Sequence, residues 1–280
     1  MGTISTWQQF WAQAKGEAIL VEILAIKGST PRDMDAKMVV SASEMFGTIG
    51  GGQAEYMMMD EARKMLRQSQ DHREIDLPLG PQIGQCCGGH FTFSLRRLDA
   101  RAAQIFEQNL RDEADADTPI YIFGAGHVGR ALAQALKPLS FNPILIDQRA
   151  EELAKIDGIE KRLSPLPEAE LRAAPDGAGV VVLTHDHALD FMITGEALAM
   201  NRFFYVGMIG SKSKRNTFRS WLADAYPNAS FDQLVLPIGG AKVKDKRPEV
   251  IAALVAAELI EQQAANAQNA KVNLGGEYAR

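Results

Sequence analysis

Residues 120–129 read IYIFGAGHVG. A short apolar run of strand type enters Gly124-Ala125-Gly126-His127-Val128-Gly129, which matches G-x-G-x-x-G. Residues 130–139 continue with a helical pattern, and 143–146 form a second apolar strand. Asp147 ends that strand, 23 positions after Gly124. This is the strand, glycine turn, helix, strand and acid order of a dinucleotide-type unit. Its glycines permit a tight turn and close approach of backbone to phosphate. Asp147 would bind a ribose diol, whereas Arg149 would instead accept a 2′-phosphate. The alternative is a domain of this fold without a nucleotide, because fold does not dictate function.

Working outward, 180–183 and 203–208 are wholly apolar and suit parallel strands buried on both faces. With the helices between them they predict a Rossmann-like, doubly wound parallel-sheet domain over 119–264. The N-terminal part reads differently. Trp7, Phe10, Trp11 and Ala14 mark a short amphipathic helix, and 18–26 and 37–41 read as strands. A helix is expected over 54–68, and 90–96 alternates as a half-buried strand does. The fold class is therefore α/β, with a mixed α+β domain over 1–99 preceding the Rossmann-like one. Residues 100–118, rich in Asp and Glu, are expected to be an acidic linker, and 265–280 a loose tail.

The 280 residues are 46% apolar and 23% charged, an ordinary globular balance that excludes low-complexity readings. A net charge of −5 argues against a nucleic-acid binder, so any anion site must be local. No apolar run approaches membrane-spanning length, and 1–11 do not read as a secretory signal. The two cysteines, Cys86 and Cys87, are adjacent and make a poor staple, so a reducing cytoplasm is expected.

Several further segments carry chemistry. Gly50-Gly51-Gly52 precedes a helix and presents free amides, the makings of an anion nest. Glu55 would either bond a ligand amine or complement the helix dipole. Arg32, in a turn, would clamp a phosphate or simply be solvated. Cys86 and Cys87, flanked by glycines, would meet a soft metal or a persulfide sulfur, or else be small buried hydrophobes. His185 and His187, with Asp186 or Asp190, would bind a ligand, move protons or hold a metal; Asp190 would otherwise cap the next helix. Gly210, Ser211, Lys214 and Arg215 form a phosphate-type cluster at a helix start, or a solvated face. Lys242, Lys244, Lys246 and Arg247 read as surface.

The chain resembles the XdhC/CoxI family, accessory proteins of xanthine dehydrogenase and related molybdenum hydroxylases. The resemblance rests on Gly28-Ser-Thr-Pro-Arg32, Gly47-x-Ile-Gly-Gly-Gly-x-x-Glu55, Gly84-Gln-Cys-Cys-Gly-Gly89, Phe123-Gly-Ala-Gly-His-Val-Gly129, Thr184-His-Asp-His-x-x-Asp190 and Gly207-x-Ile-Gly-Ser211 with Lys214-Arg215. It departs where Pro237-Ile-Gly-Gly-Ala241 runs into a lysine-rich insert before Arg247-Pro248-Glu249. The resemblance implies a chaperone rather than a turnover enzyme. Such a protein would bind molybdenum cofactor (molybdopterin), protect it while a cysteine desulfurase sulfurates it, and deliver it to apo xanthine dehydrogenase. It implies cofactor contacts at Arg32, Gly50, Gly51, Gly52, Glu55, Cys86, Gly124, Gly126, His127, Gly129, Asp147, His185, His187, Gly210, Ser211, Lys214 and Arg215, with Cys87 on the molybdenum or its sulfur. A cytidylyl- or guanylyltransferase of the cofactor is a further expected partner, and a homodimer is left open. The alternative is an NAD(P)-dependent oxidoreductase or a nucleotide-sensing module.

Overall fold

The computed structural model describes residues 4–27, 36–78, 89–240 and 243–275. The chain divides into two compact units, Met1–Asp115 and Ala116–Arg280.

The first unit is an antiparallel sheet of β1 (Ala18–Lys27), β2 (Lys37–Val40), β3 (Met45–Gly47), β4 (His72–Pro78) and β5 (His90–Leu98), ordered β3-β2-β1-β5-β4. Helix α2 (Gly52–Gln68) covers one face, burying Ala54, Met58, Ala62 and Met65, residues three and four apart. Helix α1 (Ile4–Ala14) and helix α3 (Ala100–Asp115) cover part of the other.

Helix α3 overturns the expected linker. Its acidic stretch begins only at Asp112; before it, Ala103, Phe106 and Leu110 recur at helical spacing. Phe106 packs its ring against Trp7 and Phe46, and Trp7 is fully buried. Burying a side chain like Phe106 stabilises by about 1.5–3 kcal/mol, enough to hold this segment on the sheet.

The second unit is a six-stranded sheet: β6 (Thr118–Phe123), β7 (Phe141–Asp147), β8 (Glu160–Leu163), β9 (Gly179–Val182), β10 (Tyr205–Met208) and β11 (Leu234–Val235). All pairings are parallel and the order is β11-β10-β9-β6-β7-β8. The chain therefore winds one way from β6 to β8, then returns to β6 and winds the other way, the Rossmann order. Helices α4 (His127–Leu136) and α9 (Pro248–Gly275) pack on one face. Short α5 (Ala150–Leu153) follows β7. Helices α6 (Pro167–Ala173), α7 (His187–Met200) and α8 (Lys212–Ala225) pack on the other. Helix α9 continues to Gly275, into the segment expected to be a loose tail, through an alanine-rich stretch of high helix propensity; residues 276–280 lie outside the described residues. Among the described residues no helix is long and apolar enough to cross a membrane.

Candidate functional site

The winding reverses between β6 and β9, and that is where an open α/β sheet leaves a crevice at its carboxyl ends. Gly124 follows β6 at φ 117°, a left-handed conformation, and a Cβ there would collide with the Leu183 carbonyl at the end of β9. Gly126 is different. Its φ is −65° and a Cβ would meet nothing within 4 Å. The fold places no demand on a glycine there, whereas a ligand approaching the backbone at the start of α4 would. His127 is exposed at that helix start, and Gly129 is buried against the turn. A crevice lined by Phe123, Ile146, Gln148, Pro167, Thr184, His185 and Leu189 opens beside the turn, an apolar slot between three strand ends.

Asp147 is placed at this slot, yet its carboxylate is engaged within the chain. Oδ2 accepts from the Ala125 amide at 2.7 Å and from Arg149 Nη2 at 2.9 Å. Oδ1 accepts from the Arg149 amide and Nε, both at 2.9 Å. A ribose hydroxyl would have to displace one of these donors. Burial pushes the Asp147 carboxyl up, but the Arg149 side chain and the Ala125 and Arg149 amides outweigh it, and its pKa lies below the ordinary 3.8. A carboxyl depressed on folding contributes stability above its unfolded pKa and loses it as pH falls through the folded one. The melting-temperature gap between wild type and Asp147→Asn is therefore expected to be constant at neutral pH and to close as pH drops below 3.8. A gap that stays open in acid would mean that the charge on Asp147 contributes nothing.

One strand over, Thr184 follows β9 and Gly210 follows β10. Asp190 is completely buried in α7 and holds this corner together. Its Oδ1 accepts from the Thr184 amide at 3.0 Å and hydroxyl at 2.6 Å, and its Oδ2 accepts from Lys214 Nζ. Lys214 also donates to the Ile209 carbonyl at 3.0 Å. The cap of α7 is Asp186, which accepts from the Ala188 and Leu189 amides, so Asp190 does not serve as the helix cap. Ser211 caps α8 by accepting from the Lys214 amide. His185 and His187 are exposed beside Ser211 and Lys214 on a crevice of about 230 Å³. The basic cluster is split: Arg215 turns away to donate to the Leu236 carbonyl at 2.6 Å and lies over the Phe231 ring. Among the described residues no group of three or more His, Cys, Asp and Glu is placed to hold a metal ion.

In the first unit, Glu55 fills the glycine nest. Its Oε2 accepts from the Thr48 hydroxyl at 2.5 Å, the Ile49 amide at 3.0 Å and the Gly51 amide at 3.1 Å, while the Gly50 amide donates to Thr48 Oγ1. Gly52 begins α2 beside this nest. Arg32, Cys86 and Cys87 lie outside the described residues, as does Lys242. Their flanks are described. Lys27 at the end of β1 pairs with His90 at the start of β5, and His90 pairs with Pro78 at the end of β4. At the same end of the sheet, the Thr48 amide donates to the Lys37 carbonyl at the start of β2. Three motifs far apart in sequence thus begin or end at one edge of one sheet.

Thr184 has no role assigned from sequence, yet it lines both the slot beside the Gly124 turn and the crevice at Lys214, and it fixes Asp190. Its position directly after a buried strand, six residues before an acid in the next helix, was the available signal.

Comparisons with known proteins agree with this architecture. The family model described as the XdhC Rossmann domain matches residues 120–259, and that of the XdhC and CoxI family matches 11–76. The uncharacterized protein YqeB of Escherichia coli (strain K12) is 24% identical over 254 residues, 86% of this chain. The chain spans 43% of that protein's length. A crystal structure of a Bacillus halodurans protein described as a xanthine dehydrogenase superposes with a TM-score of 0.77 at 18% identity, covering 95% of this chain and 96% of that one, and so shares the fold. With both units matched by its family models, the chain belongs to the XdhC and CoxI family.

Proposed function

We propose that this protein is an accessory factor of xanthine dehydrogenase maturation that binds molybdenum cofactor, protects it during sulfuration and delivers it to the apo-dehydrogenase. Membership of the XdhC family supports the accessory role toward xanthine dehydrogenase. The observation that carries the finer reading is the shared sheet edge of the first unit. The segments bearing Arg32 and the tandem cysteines leave the sheet at the same end as the Gly50 loop, from different strands. The cargo is an anionic pterin with a phosphate tail and a metal–sulfur head. An arginine suits the tail, the Gly50 loop would offer its amides once Glu55 and Thr48 are displaced from them, and the Cys87 thiolate suits the soft head. A carrier must also release its load, which favours hydrogen bonds over covalent attachment. A cytoplasmic cysteine desulfurase is the partner that this reading requires, and a cytidylyl- or guanylyltransferase of the cofactor is compatible with it.

The test is metal and pterin analysis of the protein purified from a host that makes the cofactor. Wild type is expected to retain molybdenum through gel filtration, and Cys87→Ala to lose most of it. Equal molybdenum in both would remove the cysteine from the site. An NAD(P)-dependent oxidoreductase is the second reading, favoured by the strand order and by the open backbone at Gly126. The internally engaged Asp147 weighs against it. NAD(P)H titration with a hydride-transfer assay separates the two: turnover would favour the second.

A further inference from the structure

We propose that the crevice between the starts of α7 and α8 is a binding site for the phosphate group of a small molecule, with Lys214 as the cation that receives it. The proposal rests on the geometry of this crevice, whichever phosphate-bearing molecule fills it. The crevice, about 230 Å³, is lined by Thr184, His185, His187, Gly210, Ser211 and Lys214, with Asp190 and Ile209 behind the lysine. That volume suits a phosphate and the first atoms of its ester.

The lysine is built into the wall. Its side chain is only 10% exposed, and its carboxylate partner Asp190 1%. Its stem runs beneath Gly210, where a Cβ would come within 2.7 Å of Lys214 Cδ. The ammonium has three N–H groups; among the described residues two of them are given to Asp190 Oδ2 and the Ile209 carbonyl. The third remains for a ligand in the crevice that the lysine lines. A buried ion pair serving the fold alone is a weak stabiliser, often matched by apolar residues of similar volume. This pair instead opens onto a polar crevice, with its acid clamped from behind by Thr184.

Ser211 and the two histidines can donate into the crevice, whereas the Thr184 amide and hydroxyl are spent on Asp190. The Ser211 oxygen accepts from the Lys214 amide, which leaves its own hydrogen for a ligand. The rings of His185 and His187 each carry at least one nitrogen that can donate. The nearby acid, Asp186, spends its Oδ1 on the amides of α7. An acceptor-only group with several oxygens complements this set, and phosphate is the common biological one.

The test is titration of the full-length protein with inorganic phosphate, followed by ³¹P line broadening. Wild type is expected to bind saturably. Ser211→Asp keeps a good N-cap and leaves Lys214 and Asp190 in place, but sets a carboxylate at the mouth of the crevice. It is expected to weaken phosphate binding by roughly tenfold or more through like-charge repulsion, with the melting temperature essentially unchanged. Lys244→Ala, on the exposed lysine stretch, is expected to bind as wild type does. An AMP arm identifies the source. Tighter binding than phosphate, lost equally in Ser211→Asp, supports a nucleotide, and binding no tighter than phosphate supports a phosphate ester without a nucleoside. No saturable binding by wild type, or equal affinity in Ser211→Asp, overturns the site, whereas molybdenum retention in Cys87→Ala tests the carrier reading separately.

Discussion

Gly129→Ala is expected to destabilise the second unit by about 3 kcal/mol or more, because overpacking against backbone cannot be relieved by a rotamer change. A Cβ at this position would overlap the carbonyl oxygen of Gly124, and the nearest side-chain atom, Leu145 Cδ1, lies 3.6 Å away. The clash is backbone against Cβ across the turn itself. Gly124 cannot yield, since it is pressed against Leu183 on the neighbouring strand and donates its amide to the Ile146 carbonyl. Gly126→Ala, three residues away, is the internal control. It adds a Cβ in open space at an ordinary φ of −65°. That substitution is expected to leave stability unchanged, or raise it by about 0.4–1 kcal/mol through the unfolded chain. Urea unfolding read by pulsed hydrogen exchange on peptides from β6 and β9 measures the second unit by itself. Equal stability of the two variants would show that the turn relaxes freely, contrary to the packing described.

The glycine turn was legible because Gly124 and Gly129 are each required by close backbone contacts, and because a strand, a helix and an acid stand at fixed distances around it. The two-way winding followed from the buried apolar runs at 180–183 and 203–208. Helix α3 was misread for a physical reason. Charge dominates its last turns, and the three residues that dock it, Ala103, Phe106 and Leu110, are spread among polar neighbours. Periodicity outweighs composition when one face of a helix is enough to bury Phe106 beside Trp7.

The candidate site was legible as a set of residues but not as a set of partnerships. Sequence places anion-binding elements at Gly50, at the Gly124 turn and at Lys214, and acids at Glu55, Asp147 and Asp190. It does not say that each acid closes on the element nearest to it in space. Glu55 sits in the Gly50 nest, Asp147 takes the Ala125 amide, and Asp190 takes Lys214. Two of these pairings span more than twenty residues, beyond the reach of any local rule. The common physical cause is that amides and ammonium groups gathered at strand ends need a counter-charge when no ligand is present.

That cause makes Asp190 the most sensitive side chain of the corner. Asp190→Leu is expected to cost about 3–5 kcal/mol, because it strands a buried ammonium and a buried amide at once. Lys214→Met is expected to cost a similar amount by leaving a carboxylate of 1% exposure without its cation. The paired variant Asp190→Leu with Lys214→Met removes both charges and restores apolar volume. It is expected to be more stable than either single variant, which requires a coupling of at least about 3 kcal/mol in a double-mutant cycle. Additive losses would mean that the two side chains act separately, and that Thr184 rather than Lys214 is what Asp190 serves. The paired variant also isolates the role of the charge. A well-folded second unit that no longer broadens the phosphate signal would assign the ammonium to the ligand, since the fold would have been shown to stand without it.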